Sequence, residues 1–265
     1  MASAIERNLY ILQSLATARS PLTVSELSEW AGLPKQTVQR MVVELRRLGA
    51  VQLMGPSNRI GMGPTIRDLA VNALSTHQVS SITRPILDKL VGALEETCNI
   101  GVLSDGEIVY IDRLECSWPL RVQLQPGSRV PVHCTAIGKL LLAYQSRQYR
   151  DHLVTQQPLR RYTPQTITDP RELESHLADI RQQGMSINRE EDCPGLMALA
   201  VPIMDHAGNV AAGVAVHAPL TRLPPKRVKD VKRHLEAAAE SLSAGLFSQA
   251  HGGYGCSEET RQWPS

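Results

Sequence analysis

The sequence predicts an α/β protein of two domains: an N-terminal winged helix-turn-helix, a linker helix, and a C-terminal α/β domain. Three observations predict it. Residues 22–48 hold two short helical patterns separated by a glycine, and two short extended runs follow at once. From about residue 80, helical spacing alternates with β-rich runs. The chain of 265 residues, neither highly charged nor of low complexity, has a length that suits two ordinary domains. The expected boundaries are 1–64 for the DNA-binding unit, 65–79 for the linker, and 80–250 for the α/β domain. The polar, Gly-rich stretch 251–265, with Trp263, is expected not to pack.

Taken in order, Ile5, Leu9, Leu12 and Leu15 define one side of a first helix, ended by Arg19-Ser20-Pro21. Thr23 with Glu26 forms a capping box for a second helix, whose inner face is Val24, Leu27 and Ala31 and which Gly32 stops. Pro34 suits the first turn of a third helix, because its missing N–H costs nothing there. Val38, Met41 or Val42, Leu45 and Leu48 supply its inward stripe. Outside, near the start of this helix, stand Lys35, Gln36, Thr37, Gln39 and Arg40, with Arg46 and Arg47 further along. Such side chains match base-edge donors and acceptors when a recognition helix enters the major groove. Spacing alone fits an αα-hairpin with a solvated polar face equally well. The following hairpin, 50–53 and 58–62 joined by Gly-Pro-Ser, decides the matter, since it is a wing on which Arg59 can reach backbone or minor groove.

Thr65 is expected to cap the linker helix, which extends to about Ser75 and carries apolar residues on more than one side, so it requires two partners. Residues 82–96 read as an amphipathic helix. The Asp105-Gly106 turn joins strands over 99–103 and 107–114. A further strand is expected over 120–125, with Val122 and Leu124 on one face. Thr135 caps a helix bearing Ile137, Leu140 and Leu141, a polar helix-and-loop region spans 146–168, and Asp169-Pro170 opens a helix that Gly184 closes. Strands over 186–189, 197–204 and 210–216 follow. The last two are apolar enough for the middle of a sheet, and a long helix runs from Pro224 to about Gln249.

The net charge of +2 gives no global argument for nucleic acid. Its distribution gives a little: residues 1–64 carry seven cations against four carboxylates, an excess of three, which leaves the remainder at −1. Cys98, Cys116, Cys134, Cys193 and Cys256 are odd in number and without a CxxC pair, as reduced thiols are. No signal peptide opens the chain and no apolar run is long enough to span a bilayer, so the expected location is cytoplasmic, with no membrane partner.

Enzyme readings are poor. Cys134 and His133 are adjacent on an extended segment, so their side chains point to opposite sides and form no dyad. Gly138-Lys139 lacks the spacing of a phosphate-binding loop. The acidic run Glu190 to Asp192 reads as a solvated loop rather than a metal site. No catalytic activity, metal or cofactor is expected.

From about Ile5 to Leu246 the chain resembles the IclR-type transcriptional regulators. The likeness rests on LPKQTVQRMVVELRRLG, RIGMG leading into TIRDLA, VPVHCTAIGKLLLA, EEDCPGLMALAVPI and GNVAAGVAVHAPLTR, in family order and spacing. The resemblance implies a GAF-like effector-binding domain at the C-terminus. It also implies operator DNA and a small-molecule effector as partners, and assembly as a homodimer or dimer of dimers. Carried over residue by residue, its effector pocket falls on Val122, Val130, Ala136, Ile137, Asn188, Ala198, Ala215 and His217. Three positions depart from the pattern within that set: Ala215 and His217 stand where many acid-sensing members carry serines, and Asn188 replaces a frequent acidic residue. In the wing, Asn58 replaces a usual aromatic. The first turn of the helix after Thr135 offers free N–H groups to a carboxylate, and His217 can be cationic opposite an acid. The apolar lining suits an aromatic or medium-chain organic acid better than glyoxylate or pyruvate. The competing class is a DNA-binding protein whose C-terminal domain only dimerises.

Overall fold

A computed structural model describes residues 3–18, 21–55, 57–74, 77–118 and 124–247. The chain divides after Asn72 into two compact units. The first is built from α1 (Ala4–Thr17), α2 (Val24–Ala31), α3 (Lys35–Arg47), β1 (Val51–Met54) and β2 (Arg59–Met62). The two strands pair antiparallel, and a single bridge from Leu22 to Ile60 ties the entry to α2 onto the wing. Ile11, Leu27, Val38, Val42, Leu45 and Ile60 meet in one small core. Thr23 and Glu26 form the expected capping box, and Gly32 ends α2 in the left-handed conformation.

Two expectations for this unit change. In α1 the buried side is Ile11, Ser14 and Leu15, while Ile5 and Leu9 are exposed. Ser14 occupies a core-facing position because its hydroxyl donates back to the Tyr10 carbonyl at 2.8 Å, satisfying a group that burial would otherwise penalise. Leu48 is exposed rather than part of the α3 stripe, because it follows the last helical residue as C-cap. Gly49 then turns the chain at φ 68°, and a Cβ there would lie 2.5 Å from Thr65 Oγ1.

The linker helix α4 (Pro64–Leu74) starts one residue earlier than expected. Thr65 therefore lies inside its first turn and donates to the Leu48 carbonyl instead of capping. Ile66 packs on the first unit's core, while Leu69 is uncovered. The next helix, α5 (His77–Leu94), begins before residue 79 and takes up the end of the expected linker.

In the second unit β3 (Thr97–Ser104), β4 (Glu107–Leu114), β5 (Arg129–Pro131), β6 (Ser186–Arg189), β7 (Leu196–Met204) and β8 (Val210–Pro219) form an antiparallel sheet in the order β5-β4-β3-β8-β7-β6. Asp105 and Gly106 both take positive φ, the tight hairpin their pairing predicts. The strand expected over 120–125 lies mostly outside the described residues, and Leu124 and Gln125 are not in a strand. Short β5, which sequence gave no sign of, pairs with β4 instead.

Helix α6 (Ala136–Ala143) covers one face of the sheet, with α8 (Pro170–Gln183) packed against it. Helices α5 and α9 (Val228–Phe247) cover the other. The polar region after α6 contains α7 (Arg147–Gln156), where Arg150 is buried and bound by Glu174 at 2.7 Å. Asp169 caps α8 and Gly184 ends it. A 3-10 turn at Pro225–Arg227 precedes α9. Residues 248–265, including the tail expected not to pack, lie outside the described residues. Among the described residues no helix is long and apolar enough to cross a membrane.

Candidate DNA interface and effector site

On α3 the sequence sorts its residues cleanly. Val38, Met41, Val42 and Leu45 are buried, while Lys35, Gln36, Gln39 and Arg40 are exposed and Thr37 is half-buried. Pro34 is the N-cap rather than the first helical residue. Its carbonyl accepts from Thr37 and Val38, and no side chain caps the helix start. No side chain takes up the first N–H groups of α3, an arrangement that suits phosphate. Arg59 is placed differently from these. Its Nε donates to the Pro21 carbonyl at 2.6 Å and its Nη2 to Glu26 at 2.8 Å, so it braces the wing against the start of α2.

In the second unit, strand register collects the predicted pocket. Asn188, Ala198, His217 and Thr97 form one cross-strand row, and Ser186, Ala200, Ala215, Asn99 and Arg113 form the next. Cross-strand partners share a face, and here it is the face under α6: Ala136, Ile137, Ala198 and Ala215 join one core cluster, with Val130 packed against it. Val122 lies outside the described residues. Thr135 caps α6 by accepting from Gly138 N–H, and Gly138 must be glycine because a Cβ would sit 2.2 Å from the Val132 carbonyl.

The polar members behave unequally. Asn188 is fully buried and internally satisfied: its amide donates to Asp192 at 2.5 Å and its carbonyl oxygen accepts from Glu191 N–H at 2.8 Å. His217 sits edge-on to Tyr110 at 6.2 Å, and burial, helped by the nearby Arg113 charge, pushes its pKa down to about 3. Burial thus favours the neutral ring near neutrality when no acid stands opposite it. The imidazole is a neutral donor or acceptor. Burial raises Tyr110 to about 12, so its hydroxyl stays protonated.

Beside His217 a cleft of about 270 Å3 opens, lined also by Thr97, Arg113, Cys116, Leu196 and Pro219. Ala136, Ile137, Ala198 and Ala215 floor the neighbouring core but do not line this opening. Asn99, Tyr110 and Arg113 were not singled out in the sequence; Asp112 and Arg113 are adjacent in β4, and only the strand register shows which of them faces α6.

Behind the site, Lys139 is fully buried and donates to Glu191 and to the Ile187 carbonyl at 2.8 Å. Glu191, read in the sequence as part of a solvated acidic loop, is instead buried because Lys139 pairs with it, and the pair holds the loop after β6; no metal-holding group of side chains occurs among the described residues. His133 bonds the Arg160 carbonyl at 3.0 Å, and burial pushes the Cys134 thiol up to about 12. That thiol is unfit as a nucleophile. The four described cysteines are free, and Cys256 lies outside the described residues.

A winged helix-turn-helix joined to an α/β domain with a cleft on its sheet defines a class of DNA-binding regulators. The chain belongs to the IclR family. The IclR helix-turn-helix domain matches residues 4–53, and the bacterial transcriptional regulator IclR C-terminal domain matches residues 71–244. The probable transcriptional regulator SauR of Cupriavidus necator is 38% identical over 240 residues, covering 91% of this chain and 95% of that one. The transcriptional repressor IclR of Escherichia coli is 29% identical, covering 91% and 88%. Among solved structures, the Thermotoga maritima IclR aligns with TM-score 0.62 at 26% identity over 91% of this chain and 98% of that one. An IclR homologue from Microbacterium hydrocarbonoxydans, complexed with 4-hydroxybenzoate, shares the fold with TM-score 0.59 at 24% identity over 92% and 99%. The protein is thus a transcriptional regulator and not an enzyme.

Proposed function

We propose that this regulator reads operator DNA through Lys35, Gln36, Thr37, Gln39 and Arg40, and that a small organic acid bound under α6 alters that reading. The observation that supports it is the cross-strand pair Ala198 and His217. It sets a neutral, buried imidazole beside small residues and an open cleft on one face of the sheet. Arg59 contributes by fixing the position of the wing, since its Nε and Nη2 are occupied by Pro21 and Glu26. The exposed Leu69 on α4 and the apolar Ile5 and Leu9 on α1 support assembly as a dimer or dimer of dimers. A cytoplasmic location follows from the role.

The test is a thermal-shift panel on the full chain. Aromatic or medium-chain acids such as benzoate and hexanoate should raise Tm more than glyoxylate or pyruvate. Ala136→Leu, overpacking the floor at a cost of about 1–3 kcal/mol, should abolish the response while DNA binding persists in a gel shift. A larger shift with the short acids overturns the ligand class. A response that survives Ala136→Leu places the pocket elsewhere.

A further inference from the structure

Asn188 belongs to the row that faces α6, beside Ala198 and His217, and it is fully buried. Its amide is a hydrogen-bond donor for an anion on that face, but the chain already supplies the anion: Nδ2 donates to the Asp192 carboxylate at 2.5 Å. The Asp192 charge also reaches Tyr110 on β4, Cys134 just before α6 and Lys139 within it. A carboxylate of the chain's own therefore stands on the α6 side of the sheet. Burial raises its pKa, so the charged form is held there at a cost. Lys139 does not cancel that charge, because it is paired with Glu191 and two carboxylates share one ammonium.

The Asp192 side chain also has a way out. It is half-buried, and the next three residues, Cys193 to Gly195, are exposed and line the open cleft. The backbone around it is pinned. Glu190 N–H donates to the Leu196 carbonyl at 2.8 Å, Leu220 N–H to the Gly195 carbonyl at 2.8 Å, and the Thr166 hydroxyl to the Glu191 carbonyl at 2.6 Å. The carboxylate can thus turn outward while the loop stays in place.

We infer that Asp192 sets the selectivity of this site as an internal competitor: its carboxylate occupies the donor that an acid effector would use, and the acid binds by displacing it to water. This rests on the effector reading above and deepens it. Two carboxylates cannot share one amide donor without repulsion. A neutral amide can instead donate its own N–H to Asp192 and bind with the carboxylate in place. Acid affinity is therefore scaled down to the fraction of molecules in which Asp192 has moved out.

The experiment titrates the full chain with benzoate, hexanoate, benzamide and hexanamide by calorimetry, in wild type, Asp192→Asn and Asp192→Ala. If Asp192 is turned inward in about nine molecules in ten, both variants should bind at least one acid about tenfold tighter than wild type, with amide affinity not increased. Acid binding seen only in the variants supports the same competition. Acid affinity unchanged or weakened in both variants makes Asp192 a loop clamp, which overturns the inference and leaves the effector reading standing. Acid and amide tightening alike would mean that the side chain merely covers the site, which also overturns it. Failure of both variants to fold overturns it too, since a side chain that leaves on binding cannot be required for folding. If no acid binds to any of the three proteins, the effector reading itself fails and the inference with it.

Discussion

The guanidinium of Arg59 closes on the carboxylate of Glu26 at 2.8 Å, across 33 residues of sequence. The same carboxylate accepts from Thr23 N–H at 2.6 Å, so one side chain both caps α2 and anchors the wing strand. These bonds, with the Thr23 backbone contact foremost, hold the Glu26 carboxyl below the usual carboxylate range.

The wing should therefore loosen when the brace is cut. Arg59→Ala is expected to raise hydrogen exchange at the amides of β1 and β2 at neutral pH, with the amides of α3 unchanged. Glu26 carries a depressed pKa, so its contribution is full at neutral pH and is lost as pH falls through that lowered value. Wild-type wing protection, corrected for intrinsic exchange, should approach that of the variant only in that acid range. Equal protection in the two proteins at pH 7 would show that the pair does not brace the wing.

Arg40 and Lys35 lie exposed at the start of α3, and neither is needed by the core. Replacing Arg40 by Ala should weaken binding to a DNA fragment selected from a random pool by about 1–3 kcal/mol and relax preference at one base position. Lys35→Ala should weaken binding to all sequences and reduce the salt slope by about one. Circular dichroism should match wild type for both. Undiminished affinity of Arg40→Ala in a gel-shift titration would move the recognition surface off α3.

His217 offers a test by pH. Its folded pKa of about 3 lies below its ordinary value of 6.5. Between those values the unfolded chain takes up a proton that the folded protein refuses. Stability contributed by keeping the ring neutral is full above pH 6.5 and declines as pH falls toward 3. His217→Gln should lessen the fall of Tm between pH 7 and pH 5. An identical decline in the variant would mean that the ring is not buried neutral.

Much of this fold is legible in the sequence because local chemistry fixes it. Thr23, Thr135 and Asp169 cap the helices that their spacing predicted, Gly32 and Gly184 end theirs, and Asp105-Gly106 makes the turn. Burial of Val38, Val42 and Leu45 follows from helical periodicity alone, and so does the exposed row from Lys35 to Arg40. Where a residue's role depends on a distant partner, the sequence was silent or misleading. The pairing of Arg59 with Glu26, 33 residues away, is not visible in the sequence.

Arg113 shows the difference most sharply. Counting back from the Asp105-Gly106 turn places Asp112 opposite Asn99 and sends Arg113 to the other side of the sheet. A bulge between Ile100 and Gly101 shifts the register by one residue. Asp112 is thereby turned toward α5, where Thr83 and Arg84 bind it, and Arg113 is turned toward the cleft. The sequence by itself determined a DNA reader joined to an α/β domain, because capping, periodicity and turn chemistry act over a few residues. Which charge faces the pocket was decided by the tertiary structure alone, since a single extra residue in a strand exchanges its two faces.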